Sequence, residues 1–299
     1  GTVIATDALL FIGARSLARA CALPADRART APTVLAVCSA GLVLVDHIHF
    51  QYNGALIGLL LLSLAHLRAG RPVIASLLFS LLLNLKHLFL FAAPLYFVHL
   101  LRHHVVRVRD NDDANDAAAP TAARRARSPR RRSASPARTH AARPRSAAPP
   151  RTSHRARALW RLCGIGAPVV AVFALSFGPF PRELSHVLSR LFPFKRGLVH
   201  AYWAPNFWAV YVAADTLGGA LGRAAMLLPP RTGAATAGLV GVTPFHLLPP
   251  VGPTLAALCV LCAQLPLLFH VARRRRADAA AAAFAPAVAY AGLAAVLFG

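Results

Sequence analysis

Apolar runs recur along this chain, and arginines close many of them. The first covers residues 1–14 and stops at Arg15 and Arg19. The second covers 33–45 and the third 55–67, the latter ending in a tight basic turn at Arg68 and Arg71. The fourth covers 73–85, the fifth 88–101 and the sixth 162–180. The seventh, 251–271, meets four consecutive arginines at 273–276, and the eighth, 279–298, is alanine-rich. Soluble domains carry roughly 25% charged residues. This chain is 14% charged and 57% hydrophobic. The pattern predicts an all-α, polytopic membrane helix bundle and argues against a soluble core.

Strict alternation places the basic ends after runs one, three, five and seven on one face, if residues 181–250 make an even number of crossings. The positive-inside rule makes that face cytosolic. The opposite face is then lumenal. It receives the link between runs two and three, the break at Lys86 and His87, and residues 181–250.

That link is Asp46-His-Ile-His-Phe-Gln-Tyr-Asn-Gly54, and all of it but Ile48 is polar, aromatic or glycine. A plain turn needs only Gly, Pro, Asn or Ser. The carboxylate of Asp46, the imidazoles of His47 and His49, the amides of Gln51 and Asn53 and the phenol of Tyr52 can together hold a polar ligand at the membrane edge. Asp46 also fits a helix cap or a structural ion pair. His47 and His49 also fit a metal-ligand pair, with only Asp46 close enough in sequence to join them. Asp7 lies on the same side if the start of run one faces that way.

Runs two to five hold only 13 or 14 residues, where a span needs roughly 20. Either they are buried helices shielded from lipid, or their polar ends lie at membrane depth and line a protein cavity. The second explanation makes Asp46–Gly54, Lys86 and His87 the rim of a lumen-facing cavity.

A second constellation spans Arg190 to Trp208, where Lys195, Arg196 and His200 alternate with Phe192, Phe194, Tyr202, Trp203 and Phe207. Cations suit a phosphate, and aromatic faces suit a sugar or an isoprenoid. An interfacial amphipathic helix without a catalytic part is the alternative.

Residues 102–161 differ from everything around them. They are Arg, Ala, Pro and Ser behind an acidic cluster at Asp110, Asp112, Asp113 and Asp116. Such a stretch has no apolar periodicity with which to offset its ordering entropy. It reads as a disordered, solvated cytosolic tether between membrane segments 1–101 and 162–299; RNA or anionic-lipid contact is the alternative. The formal net charge of +23 sits largely here and in the basic turns. Cys259 and Cys262 have CxxC spacing without a second ligand pair and read, like Cys21, Cys38 and Cys163, as small buried helix residues.

The stretch Asp46–Gly54, then Leu85-Lys-His87 with Ala93-Pro94, then Leu175-Ser-Phe-Gly-Pro-Phe180, then Arg190–Trp208, together resemble the endoplasmic-reticulum dolichyl-phosphate-glucose glucosyltransferases, glycosyltransferase family 57 of the GT-C class. The resemblance covers essentially everything outside the arginine-rich insert. Gly197-Leu-Val-His-Ala-Tyr-Trp-Ala-Pro-Asn-Phe-Trp208 is similar to the branch that adds the second glucose rather than the first.

The resemblance implies a partial GT-C bundle and inverting transfer of glucose. The donor is dolichyl phosphate glucose. The acceptor is the monoglucosylated, dolichyl-pyrophosphate-linked high-mannose oligosaccharide, and the new bond is α-1,3. It implies no metal, no cofactor and no nucleic-acid partner. It places the general base in a lumenal loop ahead of residue 1 and a His-Glu-Lys motif beyond residue 299. The expectation is therefore a piece of a longer enzyme, inactive alone. It should hold part of the cavity: Asp46, His47, His49, Gln51, Tyr52, Asn53, Lys86 and His87 on one wall, and Lys195, Arg196, His200, Trp203 and Asn206 on the other. A lipid or sugar transporter is an alternative; it predicts inverted repeats, and none is evident. A scaffold working through the arginine-rich insert is another.

Overall fold

The computed structural model describes residues 2–27, 30, 34, 39–106, 154–191, 207–225, 245, 247–249, 251, 253–274 and 277–298. All of the regular structure among them is helical. The main elements are α1 (Thr2–Ala20), α2 (Asn53–Arg68), α3 (Pro72–Leu85), α4 (Ala93–Leu100), α5 (His154–Phe177), α6 (Leu184–Leu191), α7 (Phe207–Ala224), α8 (Pro253–Arg273) and α9 (Ala277–Phe298). Wider π turns cover Val43–Ile48 and Leu101–Val106, and a 3-10 turn covers His87–Ala92.

Among the described residues, three helical stretches are long and apolar enough to cross a membrane: His87–Val106, Ala156–Phe177 and Thr254–Arg273. The first corrects the expected length of run five. Helical winding does not stop at Leu101 but continues through Arg102, His103 and His104 to Val106. His103 Nε2 lies 3.1 Å from the Val271 carbonyl, a polar partner that lets an imidazole stay buried there. Likewise α5 starts at His154, inside the stretch expected to be a tether, because Ala and Arg are good helix formers. Residues 107–153 lie outside the described residues. The short helices α2 and α3 are the central pair, and Leu56, Leu60, Leu64, Leu67, Ala75, Phe79 and Leu82 form the core with Tyr96, Val271, Phe284 and Val288.

Lipid tails are as apolar as leucine, so helices in a membrane associate through close packing and interhelical hydrogen bonds. Both devices are present. Gly13 of α1 and Gly58 of α2 bring two backbones together so closely that a Cβ on either would collide with the other helix. Ser63 donates to the Ala75 carbonyl at 2.8 Å and lies 2.8 Å from the Tyr96 hydroxyl, joining α2, α3 and α4. The Tyr96 ring stacks on Phe79 and meets Phe284 edge-on.

Cross-contacts fix the direction of several helices. Arg68 meets Ala20, so α1 and α2 end together. Ser76 reaches the Ile165 carbonyl and Asn84 reaches Ser176, so α3 and α5 run parallel. His103 meets Val271, so the stretch from His87 and α8 also end together. Arg15, Arg19, Arg68, Arg71, Arg102, Arg157, Arg161, Arg273 and Arg274 therefore gather towards one end of the bundle, and Asp46–Gly54 and Lys86 towards the other. The described cysteines depart from expectation. Cys163 and Cys262 are exposed on the bundle's outer surface, and Cys21 and Cys259 are half-buried, so none sits in the core.

Candidate functional site

The site forms where the chain abandons regular α-helix. Val43–Ile48 winds as a π turn, and residues 49–52 are irregular before α2 begins at Asn53. Phe50 takes a φ of +55°. A non-glycine residue there costs about 1–3 kcal/mol and persists only when its surroundings hold it. What holds it is a set of bonds bracketing the bend. The Gln51 N–H donates to the Val45 carbonyl at 3.3 Å and the His49 N–H to the Leu44 carbonyl at 3.1 Å.

Asp46 is 1% exposed and faces the first turn of α2. Its Oδ1 accepts from the Asn53 backbone N–H at 3.0 Å and from Asn53 Nδ2 at 2.9 Å, and its Oδ2 accepts from the Gly54 N–H. The first N–H groups of a helix have no partner within it, and a carboxylate there also opposes the positive end of the helix dipole. Asp46 is therefore a cap delivered from seven residues upstream, the alternative the sequence had left open. Gly54 leaves room for this arrangement: a Cβ there would lie 3.2 Å from both Asp46 Oδ2 and Asp7 Oδ1, so the carboxylates would have to shift by a few tenths of an ångström.

Asn53 extends the network. Its Nδ2 also donates to Gln51 Oε1 at 3.0 Å, and its Oδ1 accepts from Lys86 Nζ at 2.6 Å. Lys86 sits in extended backbone between α3 and the 3-10 turn, with φ −150° and ψ 105°. His47 Nε2 lies 3.1 Å from Asp7 Oδ2 on α1. Three separated parts of the chain thus meet at one polar end of the bundle: the start of α1, the stretch from Asp46 to Gly54, and the break at Lys86.

Of the residues expected on the first wall, Asp46, His47, Gln51, Asn53 and Lys86 join this network. His49, Tyr52 and His87 are exposed around it. The Phe50 ring is 75% exposed at the same bend, an apolar surface beside polar groups. Asp7 is the addition that sequence spacing left conditional; it reaches the site because α1 and α2 run parallel. No group of three or more His, Cys, Asp or Glu side chains among the described residues converges as a metal site. Lys195, Arg196, His200, Trp203 and Asn206 lie outside the described residues.

Directly after them comes α7, a helix within the stretch read from sequence only as a mixed region. Its buried Asp215 accepts from the backbone N–H groups of Leu247 and Leu248 at 2.8 and 2.9 Å, and Tyr211 donates to the Pro249 carbonyl at 2.9 Å. A proline-rich segment is thereby clasped to α7.

Comparison with known proteins bears on the same residues. The model of the ALG6, ALG8 glycosyltransferase family matches residues 1–299. A mouse (Mus musculus) protein named dolichyl pyrophosphate Glc1Man9GlcNAc2 alpha-1,3-glucosyltransferase is 39% identical over 242 residues, 79% of this chain and 39% of the relative. A Drosophila melanogaster protein named as a probable enzyme of that kind is 36% identical over 301 residues, 100% of this chain and 49% of the relative. An Arabidopsis thaliana protein with the mouse protein's name is 37% identical over 271 residues, 89% of this chain and 44% of the relative. The chain thus spans less than half the length of these relatives. No solved structure matches. An all-α bundle with membrane-length apolar helices, a polar end built around Asp46–Gly54 and Lys86, and a family match from first residue to last lead to one assignment: the chain belongs to the ALG6/ALG8 glycosyltransferase family.

Proposed function

We propose that this chain is the part of an endoplasmic-reticulum glucosyltransferase that builds one end of its substrate cavity. The donor is dolichyl phosphate glucose, and the acceptor is the monoglucosylated lipid-linked oligosaccharide. The observation that carries the reading is the identity of 36–39% to relatives named for action on Glc1Man9GlcNAc2. The acceptor in that name already carries one glucose, which favours the second-glucose step over the first.

The reaction is a displacement with inversion. A general base takes the proton of the acceptor hydroxyl, and that oxygen attacks the anomeric carbon of glucose. The bond from that carbon to the phosphate oxygen breaks, and dolichyl phosphate leaves with the electron pair. Base and phosphate-binding donors act most strongly where water is excluded. Asp46 does not serve as the base, since its buried carboxylate is engaged by three N–H donors. Its part is to hold the polar end in shape. Asp7 with His47, and Asn53 with Lys86, face the cavity. Lys195, Arg196, His200, Trp203 and Asn206 form the opposing wall. The polar end faces the lumen and the arginine-rich end the cytosol, as the positive-inside rule requires.

The test is complementation with the full-length gene in cells that accumulate the monoglucosylated precursor. The expected result is conversion to the diglucosylated form, dependent on dolichyl phosphate glucose. Lys195→Ala with Arg196→Ala should lower transfer by about tenfold or more. Glucose added instead to the unglucosylated precursor would move the protein to the first-glucose branch. Substrate flux without a new glycosidic bond would make it a transporter.

A further inference from the structure

We propose that Lys86 binds the phosphate of a polyprenyl-phosphate sugar, with Asn53 aiming its ammonium group. The proposal rests on the donor reading above and names the part of the site that would hold that donor's phosphate.

Three observations converge on Lys86. The first is its aim. Asn53 Nδ2 is engaged by two acceptors, Asp46 Oδ1 at 2.9 Å and Gln51 Oε1 at 3.0 Å, which fixes the amide so that Oδ1 faces Lys86. Lys86 Nζ donates to that oxygen at 2.6 Å. An ammonium has three N–H donors, so two more can be directed elsewhere.

The second is its charge. Among the described residues no carboxylate oxygen lies within 4.0 Å of Lys86 Nζ. Asp46, across the Asn53 amide, is buried and engaged by three N–H donors, and Asp7 is paired with His47. Lys86 is half-buried between apolar segments. A half-buried cation without a carboxylate partner is matched best by an anion.

The third is its apolar surround. Leu85 and Leu88, on either side in sequence, are 67% and 61% exposed on the bundle surface. A ligand with phosphate at Lys86 and a hydrocarbon chain along Leu85 and Leu88 satisfies both features. A soluble sugar nucleotide would leave the leucines uncovered.

The experiment measures binding without turnover. Full-length protein in detergent is titrated with a short-chain polyprenyl phosphate, using wild type, Lys86→Gln and Lys86→Arg. Competition arms use inorganic phosphate, phosphatidylinositol and the corresponding polyprenol. Thermal midpoints confirm that the variants fold. Lys86→Gln should weaken polyprenyl phosphate binding by about tenfold, and Lys86→Arg should stay within about threefold of wild type. Inorganic phosphate and polyprenol should compete poorly, because each supplies only half of the ligand.

Equal binding by wild type and Lys86→Gln, with glucosyl transfer intact in wild type, overturns the Lys86 assignment and leaves the enzyme reading standing. Equal competition by phosphatidylinositol overturns the donor assignment in favour of a general headgroup site. Wild type that transfers no glucose but binds polyprenyl phosphate through Lys86 overturns the enzyme reading alone.

Discussion

Arg68 Nε donates to the carbonyl oxygen of Ala20 at 2.8 Å, across 48 residues of sequence. The last carbonyls of a helix have no partner within it, and a cation near them also offsets the negative end of the helix dipole. One side chain thus closes α1 and ties the end of α2 to it. Arg68→Ala should lower stability by about 1–2 kcal/mol, read as the thermal midpoint in detergent. Arg68→Lys should recover only part of it, since an ammonium lacks the fixed guanidinium geometry. An unchanged midpoint in Arg68→Ala would show that the bond adds nothing.

The sidedness of the bundle can be read chemically. In a full-length background without native cysteines, Arg71→Cys and Arg274→Cys should react with a membrane-impermeant maleimide in sealed microsomes. His49→Cys should react only after permeabilisation. All three positions are exposed. The reverse pattern would invert the protein.

Asp46→Asn tests whether that carboxylate is structural. The amide would present its own N–H group to backbone donors that now meet oxygen. Hydrogen bonds to a charged acceptor contribute about 1.5–3 kcal/mol, so a loss of that order is expected, with transfer falling in parallel. A stable Asp46→Asn protein that had lost only activity would reassign Asp46 to the chemistry.

Asp215→Ala should release the segment it clasps. Two backbone N–H groups, those of Leu247 and Leu248, would lose their acceptor. Limited proteolysis should then cut near residues 245–249 in the variant and spare the wild type. Equal resistance would mean that Tyr211 and its contacts suffice.

These cases separate what the sequence makes legible from what it does not. Run three, read as 55–67, is α2 at Asn53–Arg68, because a mostly apolar stretch, broken only by Ser63 and His66, beside a glycine and a basic turn leaves little choice. The polar composition of Asp46–Gly54 likewise marks the bend at the polar end of the bundle. Its wiring is not visible, because Lys86 meets Asn53 and Asp7 meets His47 through helix packing, and no local spacing encodes which helices run parallel. The helix at Phe207–Ala224 was missed for a related reason. Asp215, Gly218, Gly219 and Arg223 break its apolar pattern, and the acid's compensation comes from Leu247 and Leu248, far along the chain. The cysteine positions are not legible, because a small residue on an apolar helix can face outward as readily as into the core.

The crossing at Gly13 and Gly58 works as a fulcrum. Gly58 lies one turn of α2 below Gly54, about 6 Å at 1.5 Å per residue, and Asp7 stands on the other arm. Bulk at either glycine would tilt α1 away and swing Asp7 out of reach of His47 without touching either polar residue. A mutation between two tightly packed backbones could thus be read at the polar end as a change in chemistry.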